Sequence, residues 1–265
     1  MPAKLPPAVT SIAPYHEPYI WGHDTVRLGN TALGHALEAI GPRGGRILEV
    51  GCGVGRFIRT VGQVRPDLEP HGADLGPRSI RLAAGYHDGV AYTLASATAL
   101  PYANESFDTV ILFDVLEHIP GNGPDEALAE IHRVLKKDGV LHALVPCEAQ
   151  PGTLFWLLWK LRFGGDLKVR HGDHIQRFTR DEVIDQVAKH GFFLTDLQFS
   201  MHPVGQTKDI LTYVAREDWF RRARLGGPPF QALMAALWAG GVIESRLLAG
   251  VERGAAVVHL TALRE

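Results

Sequence analysis

The chain has 265 residues, 46% of them apolar and 21% charged, with a formal net charge of -2. That balance excludes a disordered chain and gives no reason to expect a nucleic-acid partner, while the length fits one large α/β core with an insertion. Two cysteines, Cys52 and Cys147, cannot build a disulfide framework, and no apolar run reaches the ~18 residues that span a bilayer, so the sequence reads as cytoplasmic.

The first twenty residues carry Pro6, Pro7, Pro14, Tyr15, Pro18 and Tyr19, and proline's fixed φ and missing donor predict an extended arm there. From Asp24 to Ile40 the apolar positions follow a helical stripe that Gly41-Pro42 ends. A short β-favouring run, Arg46 to Val50, then stops at Gly51-Cys52-Gly53-Val54-Gly55. After it the pattern alternates. Helices are predicted over Arg56–Val64, Ser79–Tyr86 and Pro124–Leu135, and strands over Pro70–Asp74, Ala91–Leu94, Phe107–Phe113 and Gly139–Val145. Strands and helices alternating at this spacing imply βαβ units and a mainly parallel sheet covered on both faces. Thr179 with Glu182 three residues on predicts a capped helix to His190, followed by a strand over Phe192–Phe199. Residues 201–254 read as an insertion, loop-like and then helical, before a last strand over Ala256–Leu263.

Ligands of open parallel sheets sit beyond the carboxyl ends of the strands, where the glycine loop falls. A dinucleotide site spaces its glycines G-x-G-x-x-G, whereas here the spacing is G-x-G-x-G and Arg56 stands where the third glycine would be. Glu49, two positions before Gly51, would repel a pyrophosphate and attract an ammonium, although a carboxylate there also serves as a plain helix cap. Asp74 ends the second strand, where it can accept both ribose hydroxyls in either cofactor class.

Arg46-Ile47-Leu48-Glu49-Val50-Gly51-Cys52-Gly53-Val54-Gly55 resembles the first motif of class I S-adenosylmethionine-dependent methyltransferases. Ala99-Leu100-Pro101-Tyr102, Ser106-Phe107-Asp108, Val115-Leu116-Glu117-His118-Ile119 and Leu135-Lys136-Lys137-Asp138-Gly139 are similar to the family's later segments, in order. The resemblance implies a doubly wound, mainly parallel seven-stranded sheet, a Rossmann-like fold with helical additions, whose last strand is antiparallel. It implies that Gly51, Gly53 and Gly55 line the methionine portion of S-adenosylmethionine with Glu49 nearby. Asp74 would hold the ribose and Leu75 would lie against the adenine. The family often places an acidic residue by the adenine amine; here Ser96-Ala97 stands in that place, and Asp114 follows the fourth strand.

His118, at the mouth of the crevice, is the candidate proton acceptor, since an imidazole titrates near neutrality. Asp114-x-x-Glu117-His118 also resembles the segment by which some quinone-pathway O-methyltransferases hold a divalent cation, but no metal ligand is assigned, because Leu-Glu-His recurs in metal-free relatives. His171, Asp173 and His174 form a second polar group, read as ordering a loop.

Leu154–Phe163 and Phe230–Val251 are unusually apolar and predict either two segments packed on each other as a cap or a tunnel or interfacial patch for a lipid-like acceptor. The expected organisation is an arm and helix over 1–43 that could close as a lid, a cofactor-binding core over 44–200, an acceptor cap over 201–254 and a last core strand over 255–265. The expected function is methyl transfer to a small, hydrophobic or lipid-like acceptor, with peripheral membrane contact as an adjunct. The rivals are a nicotinamide-dependent oxidoreductase and a non-catalytic S-adenosylmethionine-binding protein.

Overall fold

The computed structural model describes residues 31–42, 44–161 and 167–265. The N-terminal arm with Tyr15, His16, Tyr19 and Trp21, and its expected role as a lid, lie outside the described residues, as does the side chain of His171.

Helix α1 (Thr31–Ile40) buries Ala36 and Ile40 and ends at Gly41, whose φ of 58° turns the chain. Strand β1 (Gly45–Val50) leads into α2 (Arg56–Val64), then β2 (Leu68–Asp74), α3 (Pro77–Ala84), β3 (Ala91–Leu94) and β4 (Phe107–Phe113). A 3₁₀ turn, Leu116–His118, follows β4 and precedes α4 (Gly123–Val134) and β5 (Leu135–Pro146). Beyond these come α5 (Leu154–Lys160), α6 (Leu167–Gly172), α7 (Arg180–Lys189), β6 (Phe192–Ser200), α8 (Pro203–Val214), α9 (Asp218–Arg222), α10 (Pro228–Leu247) and β7 (Val257–Arg264).

The seven strands lie in the order β3-β2-β1-β4-β5-β7-β6. All neighbours are parallel except β7, which runs antiparallel to both β5 and β6. Strand β4 ends in the apolar run Val110-Ile111-Leu112-Phe113 because helices cover both of its faces. One core cluster joins the sheet to α4 and α7 through Leu128, Ile131, Val183 and Val187; the other joins it to α1 and α2 through Ile40, Ile58 and Val61. The Thr179–Glu182 capping box forms as its spacing predicts. Strand β5 begins four residues earlier than expected, because Leu135 pairs with Phe107 ahead of a register shift in β4.

The chain runs outward from β1 to β3 and then returns to β4 on the other side of β1. The direction of winding therefore reverses between β1 and β4, and a crevice opens at the carboxyl ends of these two strands.

The insertion differs from its expected loop-like start, since α8 begins at Pro203. The Glu244 carboxylate on α10 accepts the amides of Val204 and Gly205, each at 3.0 Å, and so satisfies the open N-terminus of α8 from a distant helix. Gly205 and Gly241 let the two backbones approach closely. The apolar segments now in α5 and α10 each pack on α8, which is the shared contact the sequence did not reveal. Fully buried Gln206 ties the insertion to the core: its Nε2 donates to the carbonyls of Met201 and Gly254, and its Oε1 accepts the Leu154 amide.

Candidate active site

The bend after β1 brings its three glycines into positive φ, at 75° for Gly51, 53° for Gly53 and 74° for Gly55. Their surroundings differ. A Cβ at Gly51 would run into Val115, and one at Gly55 into the Tyr92 ring, whereas nothing lies within 4 Å of a Cβ at Gly53. Gly51 and Gly55 thus serve the packing of the bend, and Gly53 keeps side-chain atoms out of the crevice.

Two buried carboxylates line this bend. Glu49 accepts the Ile58 amide at 3.0 Å, so it caps the first turn of α2. Burial pushes its carboxyl up to about 8, the Ile58 amide opposing and the Asp74 charge adding. Asp74 accepts the amides of Gly53 at 2.8 Å and Gly76 at 2.7 Å, one on each oxygen. Burial raises its carboxyl as well. A carboxylate has about four lone-pair sites, so two remain for hydroxyl donors.

Leu75 is half-buried just beyond Asp74. The carbonyl of Asp74 accepts the Ala95 amide at 2.9 Å, which brings Ser96 and Ala97 to the same rim. The Ser96 hydroxyl bonds Thr98 Oγ1 at 2.9 Å and accepts the Thr98 amide, so it is held in its own turn. Asp114, exposed with φ of 49°, closes the β4 end of the crevice.

The second part of the site lies beyond β4 and β5. The Glu117 carbonyl accepts the amides of Ile175 and Gln176, which pins the segment leading to α7 against the 3₁₀ turn. His118 Nδ1 lies 3.0 Å from the Asp173 carbonyl. A carbonyl can only accept, so Nδ1 carries the proton and Nε2 is left with a lone pair in the neutral ring. Burial lowers the His118 imidazole, with neighbouring His174 adding to the effect. The His174 ring sits 5.0 Å from that of His118, edge to face.

Glu117 is 1% exposed, and both carboxylate oxygens lack a hydrogen-bond partner. Burial and the Asp114 charge push its carboxyl well above the usual carboxylate range. Ligand atoms of Glu117, His118 and His174 lie within 4.8 Å of one another, a donor set that could accept a divalent cation.

The sequence had pointed to none of the charged groups behind these histidines. Glu148, just past β5, lies 2.8 Å from His174 Nδ1 and 3.0 Å from Lys168 Nζ, and Lys168 in turn lies 3.0 Å from Asp209. Burial alone would raise Glu148, but Lys168 and His174 overcome it and hold it down to about 2. Burial would likewise lower Lys168; Asp209 and Glu148 outweigh it and hold the ammonium well above the usual lysine range. The four residues come from three separate segments, Lys168 and His174 sharing one, and no motif links them, although Glu148's place just past a strand's carboxyl end is a usable signal.

A doubly wound sheet with a side-chain-poor, carboxylate-lined bend at its switch point defines a nucleoside-binding α/β protein. The family model described as "Methyltransferase domain" matches residues 23–197, more than half of the chain. The chain belongs to the class I S-adenosylmethionine-dependent methyltransferase family. It is 32% identical over 104 residues to methyltransferase GfsG of Streptomyces halstedii, a match covering 37% of this chain and 36% of that protein. It is 37% identical over 100 residues to the phthiotriol/phenolphthiotriol dimycocerosates methyltransferase of Mycobacterium leprae, again covering 37% and 36%. The chain therefore spans well under half the length of these two relatives. Phosphoethanolamine N-methyltransferase 2 of Haemonchus contortus, solved with S-adenosyl-L-methionine, shares the fold at a TM-score of 0.57 and 21% identity over 89% of this chain and 52% of that one.

Proposed function

We propose that the protein transfers a methyl group from S-adenosylmethionine to a small hydrophobic or lipid-like acceptor. The observation that carries this reading is the open space over Gly53 between the carboxylates of Glu49 and Asp74. A sulfonium amino acid joined to a nucleoside suits such a lining, with its ribose hydroxyls toward Asp74 and its ammonium toward Glu49, whose raised carboxyl would ionise beside that cation. Leu75, Ser96 and Ala97 would take the adenine end, and Asp114 would border the methionine end. When bound, S-adenosylmethionine supplies an already activated methyl group. What remains for the chain is alignment, exclusion of water and, for an oxygen or nitrogen acceptor, removal of a proton.

His118 would perform that last task. Its tautomer is fixed by the Asp173 carbonyl and its Nε2 can take the acceptor's proton. The acceptor class is supported by the Mycobacterium leprae relative, whose name specifies a dimycocerosate, and by the apolar helices of the insertion. The deprotonation needs no metal on this reading, although the Glu117–His118–His174 donor set is the place a cation would occupy.

Calorimetric titration with S-adenosylmethionine and with a nicotinamide dinucleotide decides the cofactor; tight binding of the second and none of the first would sink the proposal. With a panel of long-chain quinols and lipid alcohols, release of S-adenosylhomocysteine should identify the acceptor. His118→Ala should then lower turnover by ~100- to 10,000-fold with cofactor affinity retained.

A further inference from the structure

Between Leu225 and Ile243 the sequence holds no charged residue, and Gln231 is the one amide in the stretch. Most of this stretch forms α10, and a helix so apolar is expected to be buried on all sides. It is not. Of its twenty residues only Ser245 is buried, while Leu233, Trp238 and Ile243 are 46%, 45% and 59% exposed. With about 100° of turn per residue, Ala232, Ala235, Ala236, Ala239, Ile243 and Leu247 fall on one outward face of the helix, and Leu233 and Trp238 stand at its two edges. Contiguous apolar surface of this kind marks a place where something docks.

The charges around the helix identify the partner. Arg221, Arg222 and Arg224 precede α10, and Arg246 and Arg253 follow its exposed stripe; all five are exposed. Of the neighbouring acids, Glu244 holds the α8 amides and Glu252 pairs with Arg180, while exposed Asp218 pairs with Arg221 and Arg222 and leaves the three arginines of that end with a positive excess. A second copy docking on this stripe about a two-fold axis would meet it parallel or antiparallel. Both arrangements bring arginines of one copy onto arginines of the other, because both ends of the stripe are basic. An anionic bilayer instead offers opposite charge at both ends and an apolar layer between them. Among the described residues no helix is long and apolar enough to cross a membrane, so α10 would lie in the plane of the surface.

We propose that α10 is a membrane-docking surface that seats the protein on anionic lipid. Ile243 and Leu247 lead the outward face into the acyl boundary, Leu233 and Trp238 meet it at the two edges of that face, and the flanking arginines meet the headgroups. Helix α8, gripped at its N-terminus by Glu244, carries Asp209 into the buried network beside His174 and so connects the docked helix to the candidate site. This extends the lipid-like acceptor reading but stands on its own observations.

Flotation of the full chain with phosphatidylglycerol–phosphatidylcholine vesicles and with phosphatidylcholine alone tests it. The expected result is recovery with the anionic vesicles, reduced by added salt. Trp238→Glu with Ile243→Glu should lower partitioning at least ~10-fold, and Arg222→Glu with Arg224→Glu should lower it by about fivefold or more per residue. All four positions are exposed, so melting temperature and S-adenosylmethionine titration should stay at wild-type values. Wild-type protein that remains in the aqueous layer with anionic vesicles overturns the proposal. So does a dimer in sedimentation velocity that the Trp238→Glu and Ile243→Glu changes dissociate. Vesicle binding without cofactor binding would leave the docking surface standing and remove the methyl-transfer reading; the converse would do the opposite.

Discussion

Gly51 and Gly53 share a left-handed backbone, yet a methyl group added to each meets different things. At Gly51 it strikes Val115; at Gly53 it enters empty space. Gly51→Ala should therefore destabilise the fold by about 2–3 kcal/mol, from the left-handed backbone and overpacking together. Gly53→Ala should cost only about 1 kcal/mol of stability but weaken S-adenosylmethionine binding by more than about tenfold, since that methyl would occupy the cofactor's space. Urea denaturation and calorimetric titration of the two variants read these losses separately. A Gly53→Ala protein with full cofactor affinity would show that the cofactor does not lie over this residue. The spacing of the glycines and the position of Glu49 were legible in the sequence, because strand, bend and helix are contiguous there. The division of labour among the three glycines was not, because it depends on Val115, just past β4, and Tyr92 on β3, which are distant in sequence.

Elements were read well wherever their own residues decide them. Helix α7 announces itself through Thr179 and Glu182, and β4 through the successive apolar residues Val110 to Phe113, which suit burial on both sides. Helices α5, α6 and α8 were harder to place, because they are held together by contacts between separate segments. Lys168 on α6 joins Glu148 after β5 to Asp209 on α8, all three nearly buried. Lys168→Met would leave two interior carboxylates without their cation and should cost about 3–5 kcal/mol. Chemical denaturation measures that loss, and a loss below about 1 kcal/mol would mean that solvent reaches the trio.

At the scale of the whole molecule, the outer half of the sheet carries a second interior polar group. His142 on β5 bonds Thr261 at 3.0 Å, and His259 on β7 bonds Ser200 at 2.7 Å. The His35 ring on α1 lies tilted against that of His259 with centroids 4.6 Å apart, and Glu38 and Asp196 are the acids whose charges reach His35. Burial, with His35 adding, lowers His142 to about 4, and burial holds His259 well below the ordinary value. A folded value below the unfolded one means that the unfolded chain binds the proton first, so stability is lost as pH falls from about 6.5 toward about 4. His142 alone should remove about 2 kcal/mol between about pH 7.5 and about pH 5. Urea midpoints at the two pH values should show this loss, and His142→Asn should reduce it by about 2 kcal/mol, leaving the part that His259 contributes.

Strand β7 also sets an order of events. It is the neighbour that joins β6 to β5, yet it follows β6 only after the three helices α8 to α10. During synthesis, Phe192–Ser200 leaves the ribosome with an open edge and waits while the whole insertion is translated. A chain stalled or clipped within that interval would carry an apolar, unpaired strand, and pulse-labelled nascent chains halted there should be bound by chaperones until Val257–Arg264 emerges.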